Sequence, residues 1–465
     1  MNLVPHCAPR FDAELIRRYG GPAPRYTSYP TALQFTEAWD ESQLRRTAAA
    51  LPAAAPLSLY VHLPFCASPC FYCACTRIIT RQPALAQAYL ARLYREIELQ
   101  GELFEGAGPV EQLHFGGGTP TYYDAATLGE VMAALDRHFT LSEDESREYS
   151  IEVDPRTVHT DSMAELAGLG FNRLSLGVQD FDPAVQRAVN RVQSLKDTFD
   201  LIGAARAAGF RSVSVDLIYG LPLQTPPSFE RTLDLVCVAW PDRIAVYAYA
   251  HLPQRFKAQR QIERSLVPAP EARLELLRLS IEKLTAAGYV YIGMDHFARP
   301  EDELVRAQRS GELQRNFQGY STRGGRDLVG LGLSAISRVG DAYSQNAKAL
   351  PAYQRALDAG RLPVERGLRL SADDRLRREV IEQLMCHGRV RFADLEGRYG
   401  IEFRAYFARE LARLRELEND GLVRLSDAAV EVTPSGRLLL RAVARMFDVY
   451  APRDAAGAAR FSRVA

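Results

Sequence analysis

Four cysteines crowd into ten residues, Cys66, Cys70, Cys73 and Cys75, spaced Cys-x3-Cys-x2-Cys-x-Cys. Thiolates from one compact loop suit an iron–sulfur cluster, where three of them cap three irons of a cubane and leave the fourth iron open. Zinc is a second reading. Structural zinc draws on two separated ligand pairs, however, and the nearest other pair, Cys386-His387, is too distant and too cramped to serve. Inert thiols are the third reading. Disulfides between neighbours this close have little to recommend them in a reducing compartment. Cys7, Cys237 and Cys386 are scattered and read as packing residues.

Residues 47–76, which carry the cluster, contain no Asp, Glu, Lys or Arg. Pro52, Pro56, Pro64 and Pro69 interrupt every helix long enough to span a bilayer, so the stretch reads as a dry, uncharged site. Residues 1–18 have no apolar run and carry Arg10, Asp12 and Glu14, so no signal peptide and no membrane are expected, and the chain is placed in the cytoplasm. Lys+Arg and Asp+Glu tie at 57 each, which leaves no electrostatic footprint for nucleic acid. Among the basic residues only Lys196, Lys257, Lys283 and Lys348 are lysines; a compositional bias explains most of the arginines, and individual ones are candidates for bidentate carboxylate pairing.

A chain of 465 residues holds about two to four domains. From residue 57 to 250 one pattern recurs: a short β-rich run, a polar or glycine-rich turn, then a helical stretch. The runs are 57–64, 110–115, 149–153, 173–178, 212–219 and 243–250, with helical segments between them such as 128–138 and 198–208. Leu90, Leu93, Tyr94 and Ile97 show the i, i+3, i+4, i+7 spacing of a helix face. Alternating strands and helices imply parallel βαβ units, and six of them predict an α/β fold built as an incomplete (β/α)6 barrel. Each run ends in chemically distinctive residues: the cysteines, Gly116-Gly117-Gly118-Thr119-Pro120, Glu152 and Asp154, Gln179 and Asp180, Asp216, then Tyr249 and His251. The C-terminal ends of barrel strands are where such an active site gathers.

Beyond His251 a helix at 273–284 precedes 289–294, a candidate further strand, and a glycine-rich region spans 319–332. From Ser371 the chain reads as helices at 373–386 and 392–399, then one bearing Leu411, Leu414 and Leu417. Two β-like runs, 422–425 and 430–433, and a final helix from Ser435 complete a winged-helix-like module. Its 14 Arg against 13 Asp+Glu between Ser371 and Arg445 favour packing over DNA binding. The expected division is an N-terminal arm over 1–56, a barrel core over 57–300, a barrel-closing and connecting region over 301–370, and a mainly helical, winged-helix-like domain over 371–465.

Read singly, these positions have bland alternatives. Glycines at 116–118 allow close backbone approach to a ligand or simply a tight strand-to-helix turn. Glu152 and Asp216 suit ribose hydroxyls or an ammonium group, or a salt bridge at a barrel rim. Gln179 and Arg191 are ordinary polar residues, and His62, on the strand face of Tyr60, reads as a satisfied core histidine.

The Cys-x3-Cys-x2-Cys motif directly after a first barrel strand resembles the radical S-adenosylmethionine (SAM) enzymes. Tyr60-Val61-His62-Leu63-Pro64-Phe65-Cys66, the 116–120 loop, Ile151-Glu152-Val153-Asp154-Pro155 and Gly177-Val178-Gln179-Asp180-Phe181 resemble, more narrowly, the oxygen-independent coproporphyrinogen III oxidases. So do Arg25-Tyr26-Thr27-Ser28-Tyr29-Pro30-Thr31, Gly293-Met294-Asp295-His296-Phe297 and Phe461-Ser462-Arg463-Val464. The resemblance implies a 4Fe-4S cluster on Cys66, Cys70 and Cys73, with SAM on the open iron and a second SAM beside it. Tyr60, Gly117, Glu152 and Ile336 match positions around the first SAM. Tyr72, Gly118, Thr119, Gln179, Arg191, Asp216 and Ala250 match those around the second. Cys75 and Glu152 are the expected catalytic positions, and Arg25 and Tyr26 are candidates for a substrate carboxylate.

The implied reaction is anaerobic. A 5′-deoxyadenosyl radical takes hydrogen from the β-carbon of a propionate, and loss of carbon dioxide and one electron leaves a vinyl group. Two rounds convert coproporphyrinogen III to protoporphyrinogen IX in haem biosynthesis, with an external electron donor and acceptor and a monomeric enzyme. The family often has Phe or Tyr before the third cysteine and Gly after it; here these positions are Tyr72 and Ala74, so the departure is the alanine. A haem-binding chaperone related to these oxidases is the rival reading, but it usually has Phe in place of the fourth cysteine and lacks the 25–31 arm. An RNA-modifying radical enzyme would want a basic patch that the charge tie does not show.

Overall fold

Period-two alternation decides which way each strand of the central sheet faces. In β1 (Leu57–Leu63) the side chains of Leu57, Leu59, Val61 and Leu63 are buried on one face, and Ser58, Tyr60 and His62 share the other. The same division runs through β2 (Val110–Gly117), β3 (Glu148–Val153), β4 (Arg173–Gln179), β5 (Ser212–Tyr219) and β6 (Arg243–Ala248). Leu113, Phe115, Ile151, Val153, Leu174, Leu176, Val213 and Val215 are buried with the β1 apolar set in one core. Parallel register pairs Tyr60 with His114, His114 with Ser150, Glu152 with Ser175, and Gly177 with Asp216. The inward wall is therefore polar. Burying each Leu or Val outward is worth about 1.5–3 kcal/mol, and a one-residue slip would turn every polar side chain against the helices.

Helices Pro83–Leu103, Ala125–His138, Thr160–Gly168, Leu195–Ala207, Pro226–Ala239 and Pro270–Ala286 follow the six strands in turn. Local chemistry starts them: Asp124 accepts from the Thr127 N–H, Ser194 from the Asp197 N–H, and Thr225 forms a capping box with Ser228 ahead of Pro226. The first of these helices also buries Glu96, whose carboxylate accepts from Tyr353, Asn346 and the Gly332 N–H at 2.6–2.8 Å. Burial pushes that carboxyl up to about 7.

The computed structural model describes residues 8–451, so Cys7 and the Phe461-Ser462-Arg463-Val464 block lie outside the described residues. Within them the six parallel strands sit in the middle of an open sheet of twelve, as an α/β fold with an incomplete barrel requires. The glycine-rich region, to which the sequence assigns no elements, contains strands. Gln314–Asn316 and Gly319–Ser321 form a hairpin, and Asp327–Leu331 is a seventh parallel strand beside β1. Ile336–Val339, Ala342–Asn346 and Val364–Arg369 then extend that edge antiparallel. Glycine punctuation and short length hide these strands from a periodicity reading. At the other edge Val290–Gly293 pairs antiparallel with His296–Ala298, which pairs antiparallel with β6, so this run is no further βα unit.

In the C-terminal part, helices Ala372–His387, Phe392–Tyr399 and Ala408–Asn419 pack with a three-stranded antiparallel sheet, Ala429–Val432 lying between Arg389–Arg391 and Val423–Leu425. Phe392 stacks on Phe403 with centroids 4.2 Å apart. The expected final helix is broken into Gly436–Leu439, Leu440–Ala444 and Arg445–Phe447, with both outer pieces 3-10. Gly436 lies so close to the Leu422 carbonyl that a Cβ would fall 2.1 Å from its oxygen. The N-terminal arm spans both parts: Trp39 donates to Ser344 at 2.8 Å, Arg18 pairs with Asp420 at 2.9 Å, and the Arg10 N–H donates to the Pro434 carbonyl at 3.0 Å. No helix among the described residues is long and apolar enough to cross a membrane.

Candidate active site

The cysteine loop leaves the C-terminal end of β1 and is pinned from several sides. Its Phe65–Cys66 and Ile78–Ile79 ends pair as two short parallel strands. Arg77 reaches back to the carbonyls of Cys73 at 2.9 Å and Cys70 at 3.2 Å, and Asn190 donates to that of Pro69 at 2.7 Å. The 116–119 loop at the end of β2 docks on it, the Gly118 N–H donating to the Leu63 carbonyl and the Thr119 N–H to the Phe65 carbonyl, both at 2.9 Å. A Cβ on Gly118 would lie 2.5 Å from Pro64 backbone atoms. Gly117, at φ +119°, packs against His62, whose ring would lie 2.7 Å from a Cβ there. Close backbone approach is thus required here by the protein's own chain.

Each of the three expected cluster thiols has its own hydrogen-bonding neighbour. Thr119 Oγ1 lies 3.3 Å from Cys66 Sγ, the Cys75 N–H is 3.5 Å from Cys73 Sγ, and Arg156 and Arg191 both donate to Cys70 Sγ at 3.4 Å. Asp154 holds the two guanidinium groups, accepting from Arg156 at 2.7 Å and Arg191 at 2.9 Å. Burial pushes the Cys66 thiol up to about 11, whereas the hydrogen bond from Cys75 leads in bringing Cys73 down to about 6. Donors aimed at sulfur are what metal-bound thiolates require, so this donor set fits an iron–sulfur cluster. No three His, Cys, Asp or Glu side chains among the described residues are arranged for a single ion. Cys75 is exposed, and both its thiol and its backbone N–H meet Cys73.

Residues 60–236 match the Radical SAM superfamily, and residues 370–439 match the HemN C-terminal domain. An oxygen-independent coproporphyrinogen III oxidase of Pseudomonas aeruginosa is 52% identical over 456 residues, covering 98% of this chain and 99% of the relative. The Escherichia coli K12 protein of the same name is 48% identical, with 98% of each chain covered. The chain belongs to the oxygen-independent coproporphyrinogen III oxidase family. A solved structure described as coproporphyrinogen III oxidase (HemN) from Escherichia coli, a radical SAM enzyme, superposes with a TM-score of 0.91 at 46% identity, covering 96% of this chain and all of that one.

In this coproporphyrinogen III oxidase family member the remaining candidates divide between two sides of the lumen. Tyr60 stacks on His114, its hydroxyl meets His62 Nδ1 at 2.9 Å, and His62 Nε2 meets the Thr76 carbonyl at 3.0 Å, so His62 is a satisfied core histidine. Glu152 receives the Gly117 N–H at 3.1 Å and approaches His114 Nε2 at 3.4 Å. Burial opposes its ionisation, but those two partners hold its carboxyl below the usual range. Tyr60 pairs with Gly330, and a Cβ there would meet the Ile336 backbone at 2.7 Å, which brings Ile336 to the β1 side.

The second group clusters at the ends of β4 to β6. Gln179 sits at a bulge with φ +68°, near Arg191, which donates to the Gly177 carbonyl at 2.6 Å. Asp216 accepts from Ser175 at 3.0 Å, and burial pushes its carboxyl up to about 7. Gln259 links the Tyr72 carbonyl at 2.9 Å to that of Ala250 at 3.1 Å.

The two substrate candidates part company. Arg25 pairs with Asp295 and lies over the Tyr247 ring at 5.6 Å. The Tyr26 hydroxyl instead donates to Asp448 at 3.0 Å, so it is taken up by the C-terminal part. The sequence reading did not single out Arg156, His114 or Gln259. His114 was findable, since it precedes Gly116 by two on an inward-facing register; Arg156 and Gln259 reach the site only through folding.

Proposed function

We propose that this coproporphyrinogen III oxidase holds a 4Fe-4S cluster on Cys66, Cys70 and Cys73 and uses two SAM molecules to convert coproporphyrinogen III to protoporphyrinogen IX. The observation that carries this reading is the set of three thiols on one pinned loop, each with its own hydrogen-bonding neighbour. The cluster and SAM supply the one-electron chemistry that removes a hydrogen atom from a propionate β-carbon, after which carbon dioxide and one electron leave and a vinyl group remains, twice per substrate.

The chain's part is to bind, orient and shield. Arg156 and Arg191 place positive charge on Cys70, and Asp154 keeps both guanidinium groups in place. Tyr60, Gly117, Glu152 and Ile336 lie on the β1–β3 side and would receive the first SAM; Glu152, kept ionised, is suited to its ammonium group. Tyr72, Gly118, Thr119, Gln179, Arg191, Asp216 and Ala250, extending from the cysteine and glycine loops to β4–β6, would receive the second. The polar inward wall offers hydrogen-bonding groups to a carboxylated substrate, and Cys75, exposed beside Cys73, is the candidate residue facing the reaction.

The test is anaerobic reconstitution with iron and sulfide, followed by SAM, reductant, coproporphyrinogen III and a cell extract as electron acceptor. Protoporphyrinogen IX with two methionines released per molecule is expected. Haem binding without decarboxylation would overturn the reading in favour of the chaperone.

A further inference from the structure

Arg315 belongs to the hairpin strand Gln314–Asn316 and is only 6% exposed. Its Nε and Nη1 are buried without a hydrogen-bond partner, and it forms no ion pair among the described residues. The Tyr320 ring lies 4.7 Å from its guanidinium carbon. Tyr320 meets His296 edge-on at 5.3 Å, His296 meets Tyr247 edge-on at 6.0 Å, and Arg25 lies over Tyr247. Arg315 and Arg25 therefore stand at the two ends of one aromatic column. Tyr247 faces the lumen two residues beyond Ala245, the register partner of Asp216, so the column stands beside a candidate SAM contact.

Positive charge outruns negative charge here. Arg441, 3% exposed, is a third buried guanidinium in the group and donates to the Pro24 carbonyl at 2.9 Å. Burial, then repulsion from Arg25, brings it down to about 9. Among nearby carboxylates Asp295 is paired with Arg25 and also feels Arg315, Asp448 is engaged by Tyr26, and Glu382, raised by burial, accepts from the Arg315 backbone N–H rather than from its guanidinium. Buried guanidinium nitrogens without an acceptor are costly, and an incoming carboxylate would remove that penalty.

We infer that Arg315 binds a carboxylate of the substrate, opposite Arg25 across the Tyr320–His296–Tyr247 column. The inference rests on the proposed reading of the substrate as a porphyrinogen carrying propionates; the rings of the column offer its pyrroles an apolar surface between two cations. Arg315 is then a substrate-positioning residue, silent in the cleavage of SAM.

R315Q and R315K are compared with the native enzyme after reconstitution. R315Q is expected to raise KM for coproporphyrinogen III about tenfold or more, the loss of one charge-assisted contact, with kcat changed far less. R315K keeps a point charge without the planar fork and is expected to raise KM about threefold. Methionine release from SAM and reductant without tetrapyrrole stays at the native rate in both. Fluorescence titration of each chain with coproporphyrin III follows the same order and needs no turnover. A native chain that fails to decarboxylate would thus strike the functional reading while the titration still measures Arg315. Native-like KM and porphyrin affinity in R315Q overturns the inference, as does an equal loss of SAM cleavage. If R315Q does not fold, native-like values in R315K overturn it.

Discussion

Arg191 Nη1 donates both to Cys70 Sγ at 3.4 Å and to Asp154 at 2.9 Å, so a buried ion pair aims a cation at a sulfur proposed to hold the cluster. Replacing Arg191 by Met removes that charge and leaves Asp154 with Arg156 alone. The reduction potential of the reconstituted cluster is expected to fall by on the order of tens of millivolts, because positive charge near the sulfurs favours the reduced state. A redox titration followed by electron paramagnetic resonance reads this directly; an unchanged potential would sink it.

Cys75 presents its backbone N–H to Cys73, and a Cys75→Ser substitution leaves that donor in place. Iron content and visible absorbance of the cluster should match the native enzyme, while protoporphyrinogen formation is lost. Loss of iron along with activity would instead make Cys75 a ligand.

Gly118→Ala puts a methyl group 2.5 Å from backbone of Pro64, where no flexible side chain can yield. The expected result is a displaced glycine loop, a stability loss of roughly 1–3 kcal/mol by chemical denaturation, and at least tenfold weaker SAM binding.

Burial sets the Asp216 carboxyl at about 7, above its ordinary 3.8, so the ionised form that accepts from ribose hydroxyls dominates only above neutrality. SAM affinity, measured by calorimetry, should rise as pH increases from about 6 to 8. In Asp216→Asn this rise should be absent. A pH-independent native affinity would remove Asp216 from the site.

Glu96 is likewise raised, from 4.5 to about 7, and it is fully buried. The native state binds the proton more tightly than the unfolded chain, so stability falls as pH rises from about 4.5 to 7 and is level above that. The drop is on the order of 3 kcal/mol. Thermal melts of the native chain at pH 5 and pH 8 should show it, and melts of Glu96→Gln should not.

Much of this site could be read along the chain because its signals are local. The cysteine spacing, the glycine loop, Glu152 and Asp216 each stand at the end of a strand whose period-two pattern is plain, and barrel geometry gathers strand ends. The seventh parallel strand could not be read so, because Asp327–Leu331 is short, glycine-bounded and defined by a partner some 270 residues earlier. Tyr26 shows the reverse failure: beside Arg25 in sequence, it is turned at φ +48° to meet Asp448.

Thiol spacing and strand alternation depend only on neighbours in the chain, so the kind of chemistry is legible along it. How that chemistry is tuned depends on the fold. Arg156 and Arg191 converge on Cys70 from separate loops, and folding leaves two guanidinium nitrogens of Arg315 buried without an acceptor. Charge balance in a buried site is a sum over distant residues, and no local pattern encodes it.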